Sequence, residues 1–279
     1  MNSVLVNCQW LEEHLYDENI VVLDVSMDKV VGKTPLVYDT LQVIPTSLKC
    51  NLEVDFSDIN SDSINAFPTQ LQFDKGIAKL GIGQNSTVIL YDNQGVYSSP
   101  RAWWIFKTMG FDRVYILNGG LPQWIREKRQ TLSNHKCAHA NVLYPFKSSL
   151  RLNSICSSEY VLENIPNDRS IVLDARSNLR FLGEEKEPRS GCRSGHIPNS
   201  INLPFTLVLD GFKFKNKPEL SDLFINKLPL APEELIFSCG SGITACIVLV
   251  AAVISGFSNL TLYDGSWAEW GSSQYPVSS

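Results

Sequence analysis

The sequence predicts an α/β protein built from two tandem domains, each a parallel sheet flanked by helices on both faces. Three observations carry that prediction. The chain has 279 residues, about two ordinary domain lengths. Apolar runs that end in Asp, Val21-Val22-Leu23-Asp24 and Ile171-Val172-Leu173-Asp174, alternate with helix-length segments, which is the pattern of buried parallel strands joined by crossover helices. The elements of the first half also return in the second, in the same order and offset by about 150 residues.

Taken in chain order, Asn7 can cap a helix over Cys8–Leu15, with Trp10, Leu11, His14 and Leu15 on one stripe. Val21–Val25 is the first buried strand. Ile44-Pro45-Thr46-Ser47, the strand Val88–Asp92, Gly110-Phe111, and Asn118-Gly119 with Trp124 follow. Their counterparts are Ile197-Pro198-Asn199-Ser200, Leu235–Cys239, Gly256-Phe257, and Asp264-Gly265 with Trp270. Ser157 or Ser158 can cap a helix over Tyr160–Asn164, which opens the second half as Cys8–Leu15 opens the first. Arg129–Arg151 is polar and loses the periodicity, so the expected domains are 1–130 and 152–279 with 131–151 as linker. Ala245–Ile254 is the most apolar stretch. It is far shorter than the roughly 20 residues that cross a bilayer, and reads as a buried helix.

Composition excludes some functions. With 24 Lys+Arg against 29 Asp+Glu the formal charge is −5, and no short basic stretch tracks a phosphate backbone, so no nucleic-acid partner is expected. Seven cysteines form an odd, sparse set without the spacing of a disulfide framework, which fits a reducing compartment. The first 20 residues hold Glu12, Glu13, Asp17 and Glu18 and no Lys or Arg, unlike a secretory or transit peptide. A cytoplasmic protein without a membrane partner is expected.

The chemistry is concentrated in Phe237-Ser238-Cys239-Gly240-Ser241-Gly242-Ile243-Thr244-Ala245. A strand runs into Cys239, two glycines follow, and an apolar helix starts near Thr244 and stops before Gly256. Glycines let successive N–H groups turn inward, the helix start adds about half a positive charge, and a thiolate placed there is stabilised. Cys239 is therefore the candidate nucleophile. Cys246, inside the apolar helix, is expected to pack. A phosphatase would need an Arg at the end of such a loop to clamp phosphoryl oxygens, and Thr244 and Ala245 stand there instead.

The loop Cys239–Thr244, the duplication, and the segment Asp174-Ala175-Arg176-Ser177, Arg180-Phe181, Glu187-Pro188-Arg189, Gly195-His196-Ile197-Pro198 together resemble the two-domain rhodanese superfamily, specifically its 3-mercaptopyruvate sulfurtransferases. The resemblance covers nearly the whole chain. It implies two rhodanese-like domains, and a cysteine that takes sulfane sulfur as a persulfide and passes it to a thiol, thioredoxin or cyanide. No metal or organic cofactor is implied. Thiosulfate-preferring relatives tend to carry basic residues in the loop, which here is neutral.

Cys239 and Ser241 are the catalytic candidates, with Gly240, Gly242, Ile243 and Thr244 completing the active-site loop. Ser241 would polarise the donor or assist proton movement. Arg180 and Arg189 match the family's donor-binding arginines, and a planar guanidinium fork suits the donor carboxylate. Arg176 is expected to pair with Asp174 or a backbone carbonyl, and His196 to serve as a structural hydrogen-bonder. His135, Cys137 and His139 offer potential metal ligands but lack a fourth, and Gly81-Ile82-Gly83 lacks the third glycine of a dinucleotide site.

Two departures from the family matter. Val43 stands where a His usually precedes the first Ile-Pro, and Asn51–Pro68 lacks a His before its Pro, so an Asp–His–Ser relay is not expected. Asp92 also takes the place of Cys239 in the first half. That domain is expected to be catalytically silent, with Asp92 capping the helix that begins near Tyr97. Two other functions fit the same residues: a thiosulfate:cyanide sulfurtransferase, and a non-catalytic persulfide carrier that binds a partner protein.

Overall fold

A computed structural model describes residues 3–138, 144–167, 169–228 and 232–279. The chain divides into two compact units, one made of Met1–Ile59, Phe67–Arg151 and Gly211–Phe214, the other of Asn60–Ala66, Leu152–Asp210 and Lys215–Ser279. Each unit therefore takes a short segment from the opposite half of the sequence.

The first unit carries β1 (Leu5–Val6), α1 (Cys8–His14), β2 (Ile20–Asp24), β3 (Leu48–Lys49), α2 (Leu52–Asp55), α3 (Gln70–Lys79), β4 (Thr87–Tyr91), α4 (Ser99–Thr108), β5 (Val114–Leu117) and α5 (Gly120–Arg126). Its strands pair in the order β1-β5-β4-β2-β3, all parallel. Asn7 accepts the Trp10 N–H at 2.7 Å and starts α1 as its cap. One face of the sheet packs Val22, Ile89 and Leu117 against Leu11 of α1 and Leu121 and Trp124 of α5. On α3, α4 and the loop after α2, Phe73, Phe106 and Phe56 gather as a second aromatic cluster. Tyr97, Trp103 and Trp104 are buried in this unit, and the Trp103 indole donates to Val114 O.

The described part of 131–151 belongs to the first unit rather than forming a free spacer. Val43 and Leu132 exchange backbone hydrogen bonds at 2.9 Å, the Lys136 N–H donates to Ser47 O, and the Phe146 ring packs on Phe73 and Phe111. One aromatic anchor and a short backbone ladder outweigh the polar composition that suggested a linker. His139 lies outside the described residues, and His135 Nε2 sits 2.8 Å from Asp24 Oδ2.

The second unit carries β6 (Ile155–Cys156), α6 (Ser158–Asn164), β7 (Ser170–Asp174), α7 (Asn178–Phe181), β8 (Ile201–Asn202) and β9 (Leu209–Asp210). After β10 (Lys213–Phe214), which is counted with the first unit, come α8 (Lys217–Lys227), β11 (Glu234–Ser238), α9 (Ile243–Ser255), β12 (Leu260–Tyr263) and α10 (Ser266–Trp270). The sheet order β6-β12-β11-β7-β8 reproduces that of the first unit strand for strand, again all parallel. The repeat reaches the backbone torsions: Thr46 and Asn199, third in the two Ile-Pro motifs, both have left-handed φ, 67° and 61°. A β-branched Thr tolerates that region poorly, so the turn is imposed by the fold around it. Val161 of α6 and Trp267 and Trp270 of α10 cover one sheet face against Val172, Ile236 and Tyr263. The other face carries α9, whose residues Ala245–Ala252 are all buried between the sheet and α8. An apolar helix without a polar face is what such a sandwiched position requires.

Candidate active site

The site grows from β11, the central strand of the second sheet, buried along its whole length. It delivers Cys239 at the carboxyl edge of the sheet, where open α/β sheets bind ligands. Cys239 is a free cysteine, 1% exposed. Its N–H donates to Ser266 Oγ at 3.2 Å, while its carbonyl and that of Gly240 accept the N–H groups of Trp267 and Ala268 at 2.9 and 3.0 Å. The loop carbonyls are thus tied down to α10. Gly242, with φ 77°, turns the chain into α9, one residue earlier than the expected start at Thr244. No side chain caps α9, so its leading N–H groups stay available beside the thiol.

The two expected arginines meet at this loop. Arg189 Nη1 donates to Gly240 O at 3.2 Å. A Cβ on Gly240 would stand 3.3 Å from Arg180 Nη2 and 3.5 Å from Arg189 Nη1, so both guanidiniums lie against the residue that follows Cys239. Arg180 is not a free fork, however. Its Nε and Nη2 donate to the two oxygens of Glu187 at 3.1 and 2.5 Å. Glu187, 1% exposed in its side chain, also accepts from Arg176 Nη1 at 2.8 Å. Arg176 in turn pairs with Asp174, donates to Gly195 O at 2.8 Å, and lies 4.2 Å over the Trp267 ring. Burial opposes the Arg176 charge, and the carboxylates of Asp174 and Glu187 outweigh it, holding the guanidinium above its ordinary value. Three guanidiniums against two carboxylates leave this network with one net positive charge, and Arg189, the one of the three with no carboxylate partner among the described residues, is bonded to Gly240 O.

The rhodanese-like domain family matches residues 7–127 and 157–273. The chain belongs to that family. Similar proteins include the 3-mercaptopyruvate sulfurtransferase of Homo sapiens, 38% identical over 77% of this chain and 72% of that one. The 3-mercaptopyruvate sulfurtransferase of Escherichia coli K12 is 33% identical over 95% of this chain and 94% of its own. Among solved structures, the crystal structure of the Tum1 protein from Saccharomyces cerevisiae aligns with a TM-score of 0.85 at 27% identity, covering 100% of this chain and 99% of that one.

Within this second rhodanese-like domain, Ser241 stands two residues past Cys239, and its hydroxyl accepts from the Asn65 amide at 3.1 Å. Ile243 and Thr244 form the first turn of α9. His196 stacks on Phe181 with ring centroids 3.8 Å apart and pairs through Nδ1 with Phe181 O, a packing role. Cys246 donates to Gly242 O within α9. Burial pushes the thiols of Cys8, Cys50 and Cys156 up, that of Cys8 to about 12, so these three are poor nucleophiles. Glu187, Ser266 and Asn65 are site residues that sequence reasoning missed. Glu187 sits inside the matched Glu187-Pro188-Arg189 motif but looked like part of a solvated charge cluster, whereas Ser266 and Asn65 carry no local signal.

The first rhodanese-like domain has the same loop with the opposite filling. Asp92, fully buried, takes the Gln94 N–H on Oδ1 at 2.9 Å. Its Oδ2 takes the N–H groups of Tyr97, Ser98 and Ser99 at 2.9 to 3.1 Å and the Ser99 hydroxyl at 2.7 Å. The cradle that faces a thiol in one domain is closed by a carboxylate in the other.

Proposed function

We propose that this protein is a sulfurtransferase that moves sulfane sulfur from 3-mercaptopyruvate, through a persulfide on Cys239, to a small thiol, thioredoxin or cyanide. The observation that carries the reading is the convergence of Arg180 and Arg189 on Gly240, next to a buried free cysteine at the uncapped start of α9. The similarity to 3-mercaptopyruvate sulfurtransferases points to the same donor. In this reading Arg189, helped by Arg180, holds the donor carboxylate, and the Cys239 thiolate attacks the donor's thiol sulfur. The S–S bond forms as the donor's C–S bond breaks, and that electron pair leaves as the pyruvate enolate. Water supplies the proton that turns the enolate into pyruvate, and the acceptor then removes the outer sulfur, restoring the thiolate. The leading N–H groups of α9 offset the negative charge that gathers around the loop.

The domain with Asp92 is catalytically silent in this scheme, because a carboxylate cannot hold sulfane sulfur and would repel an anionic donor. Free cysteines throughout the chain suit a reducing, cytoplasmic setting. No helix among the described residues is long and apolar enough to cross a membrane.

The test is a donor titration with cyanide as acceptor, alongside intact-mass measurement after donor exposure. Turnover with mercaptopyruvate and one added sulfur on the wild type, absent in Cys239→Ser, is the expected result. Turnover with thiosulfate alone would reassign the donor, and loading without turnover would make the protein a persulfide carrier. A Cys239→Ser variant that still gains the sulfur and turns over would refute the site.

A further inference from the structure

Ser241 is the residue of the loop whose side chain stands closest in sequence to Cys239, and its hydroxyl is held from the segment Asn60–Ala66, which the fold places in the second unit. Asn65 Nδ2 reaches Ser241 Oγ at 3.1 Å and Ser241 O at 3.4 Å. A backbone carbonyl only accepts, so the amide group facing Ser241 must be the NH₂ end, and Ser241 Oγ is therefore an acceptor in this pair. Asn65 has φ 58°. That left-handed conformation is tolerated by Asn better than by most side chains, and backbone held in such a region gathers at functional sites.

We infer that Asn65 is a positioning residue for the sulfur-transfer step: its amide presents only a donor to one of the two lone pairs of Ser241, so that the hydroxyl proton is left to hydrogen-bond the oxygen of the departing enolate. An amide neither takes up nor releases a proton over the working pH range, so Asn65 cannot draw a proton from Ser241. The hydroxyl acts as a fixed hydrogen-bond donor, no proton passes through it, and the methyl proton of pyruvate comes from water. A segment in which the family resemblance leads one to look for a titrating His thus supplies a non-titrating donor. The inference rests on the sulfurtransferase reading above.

The test uses the full chain with mercaptopyruvate and cyanide. Asn65→Gly keeps the left-handed backbone free of strain while removing the amide. It is expected to lower kcat about five- to tenfold with KM nearly unchanged, because the lost orientation matters most where charge develops on the enolate. In a Ser241→Ala background the same change should have no further effect on kcat, a coupling that loss of general structure would not produce. Asn65→His should add to the kcat profile an inflection near pH 6.5 that is absent from the wild-type profile measured beside it. Equal losses from Asn65→Gly in both backgrounds, or an unchanged kcat in Asn65→Gly, would overturn the inference while leaving the sulfurtransferase reading intact. Absence of Cys239-dependent mercaptopyruvate turnover in the wild type would overturn both.

Discussion

Replacing Asp92 by Ala separates a structural carboxylate from a catalytic position more cleanly than any other change in this chain. In the first domain Asp92 is fully buried and receives five donors: the N–H groups of Gln94, Tyr97, Ser98 and Ser99 and the Ser99 hydroxyl. An ordinary helix cap satisfies one or two such groups, and its loss costs about 0.5–2 kcal/mol. Here the methyl of Ala would leave all five without an acceptor in a site sealed from solvent. Removing one partner from a buried, charge-assisted set of this kind costs about 3–5 kcal/mol. At about 3 °C of melting temperature per kcal/mol for a domain of this size, the expected drop is roughly 9–15 °C. Asp92→Asn keeps one oxygen and should fall about halfway, because its NH₂ must face a donor. Thermal melting by circular dichroism reads the first effect, and mercaptopyruvate turnover well below the transition reads the second. A folded Asp92→Ala protein should keep nearly all of its kcat. A melting point within about 2 °C of the wild type would refute the account of the cradle, and a large loss of kcat in the folded variant would refute a silent first domain.

Other changes test the rest of the site. Arg189→Ala removes the cation without a carboxylate partner and should cut kcat/KM for mercaptopyruvate about ten- to hundredfold, with Arg189→Lys recovering little of it. Arg180→Ala should lose less, since two of its donors already serve Glu187; equal kinetics of both Ala variants and the wild type would remove the arginines from donor binding. Glu187→Ala leaves Arg176 and Arg180 buried without their shared carboxylate, which should cost about 3–5 kcal/mol and show as a lower melting temperature; a melt unchanged from the wild type would count against the network. Burial pushes the Asp24 carboxyl up, but hydrogen bonds from His135 and Ser26 and the charge of Lys49 outweigh it and hold the group below its usual range. A lowered folded-state value gives stability that is present above the unfolded value of about 4 and is lost as the pH falls through the folded one. Asp24→Asn should therefore melt below the wild type at neutral pH and converge on it in acid below about pH 4; a constant gap down to about pH 3 would exclude that origin.

What could be read from the sequence and what could not follow from one physical distinction. The strand ending at Cys239, the two glycines, the apolar run of α9 and its stop at Gly256 are all local: each follows from the period of burial or the torsion a residue permits, so the strand, loop and helix that carry Cys239 are legible in the sequence. The repeat was legible for the same reason, since equal sheet orders demand equally spaced apolar runs, and the departures that it exposed, Asp92 above all, carried their chemistry with them. The partners were not legible. Glu187 lies two residues from Arg189, among Glu184 and Glu185, and local sequence treats all three alike; only the fold buries Glu187 between Arg176 and Arg180 and thereby occupies two donors of Arg180. Asn65 and Ser241 lie 176 residues apart, and nothing periodic connects them. The segment 131–151 failed in the opposite direction, because its polar composition resembled a spacer while a single ring, Phe146, and a few backbone hydrogen bonds fix it to the first unit. Local pattern therefore locates the cysteine loop, whereas the ion pairs of Arg176 and Arg180 and the hydrogen bond that Ser241 accepts come from residues that only the tertiary structure brings together.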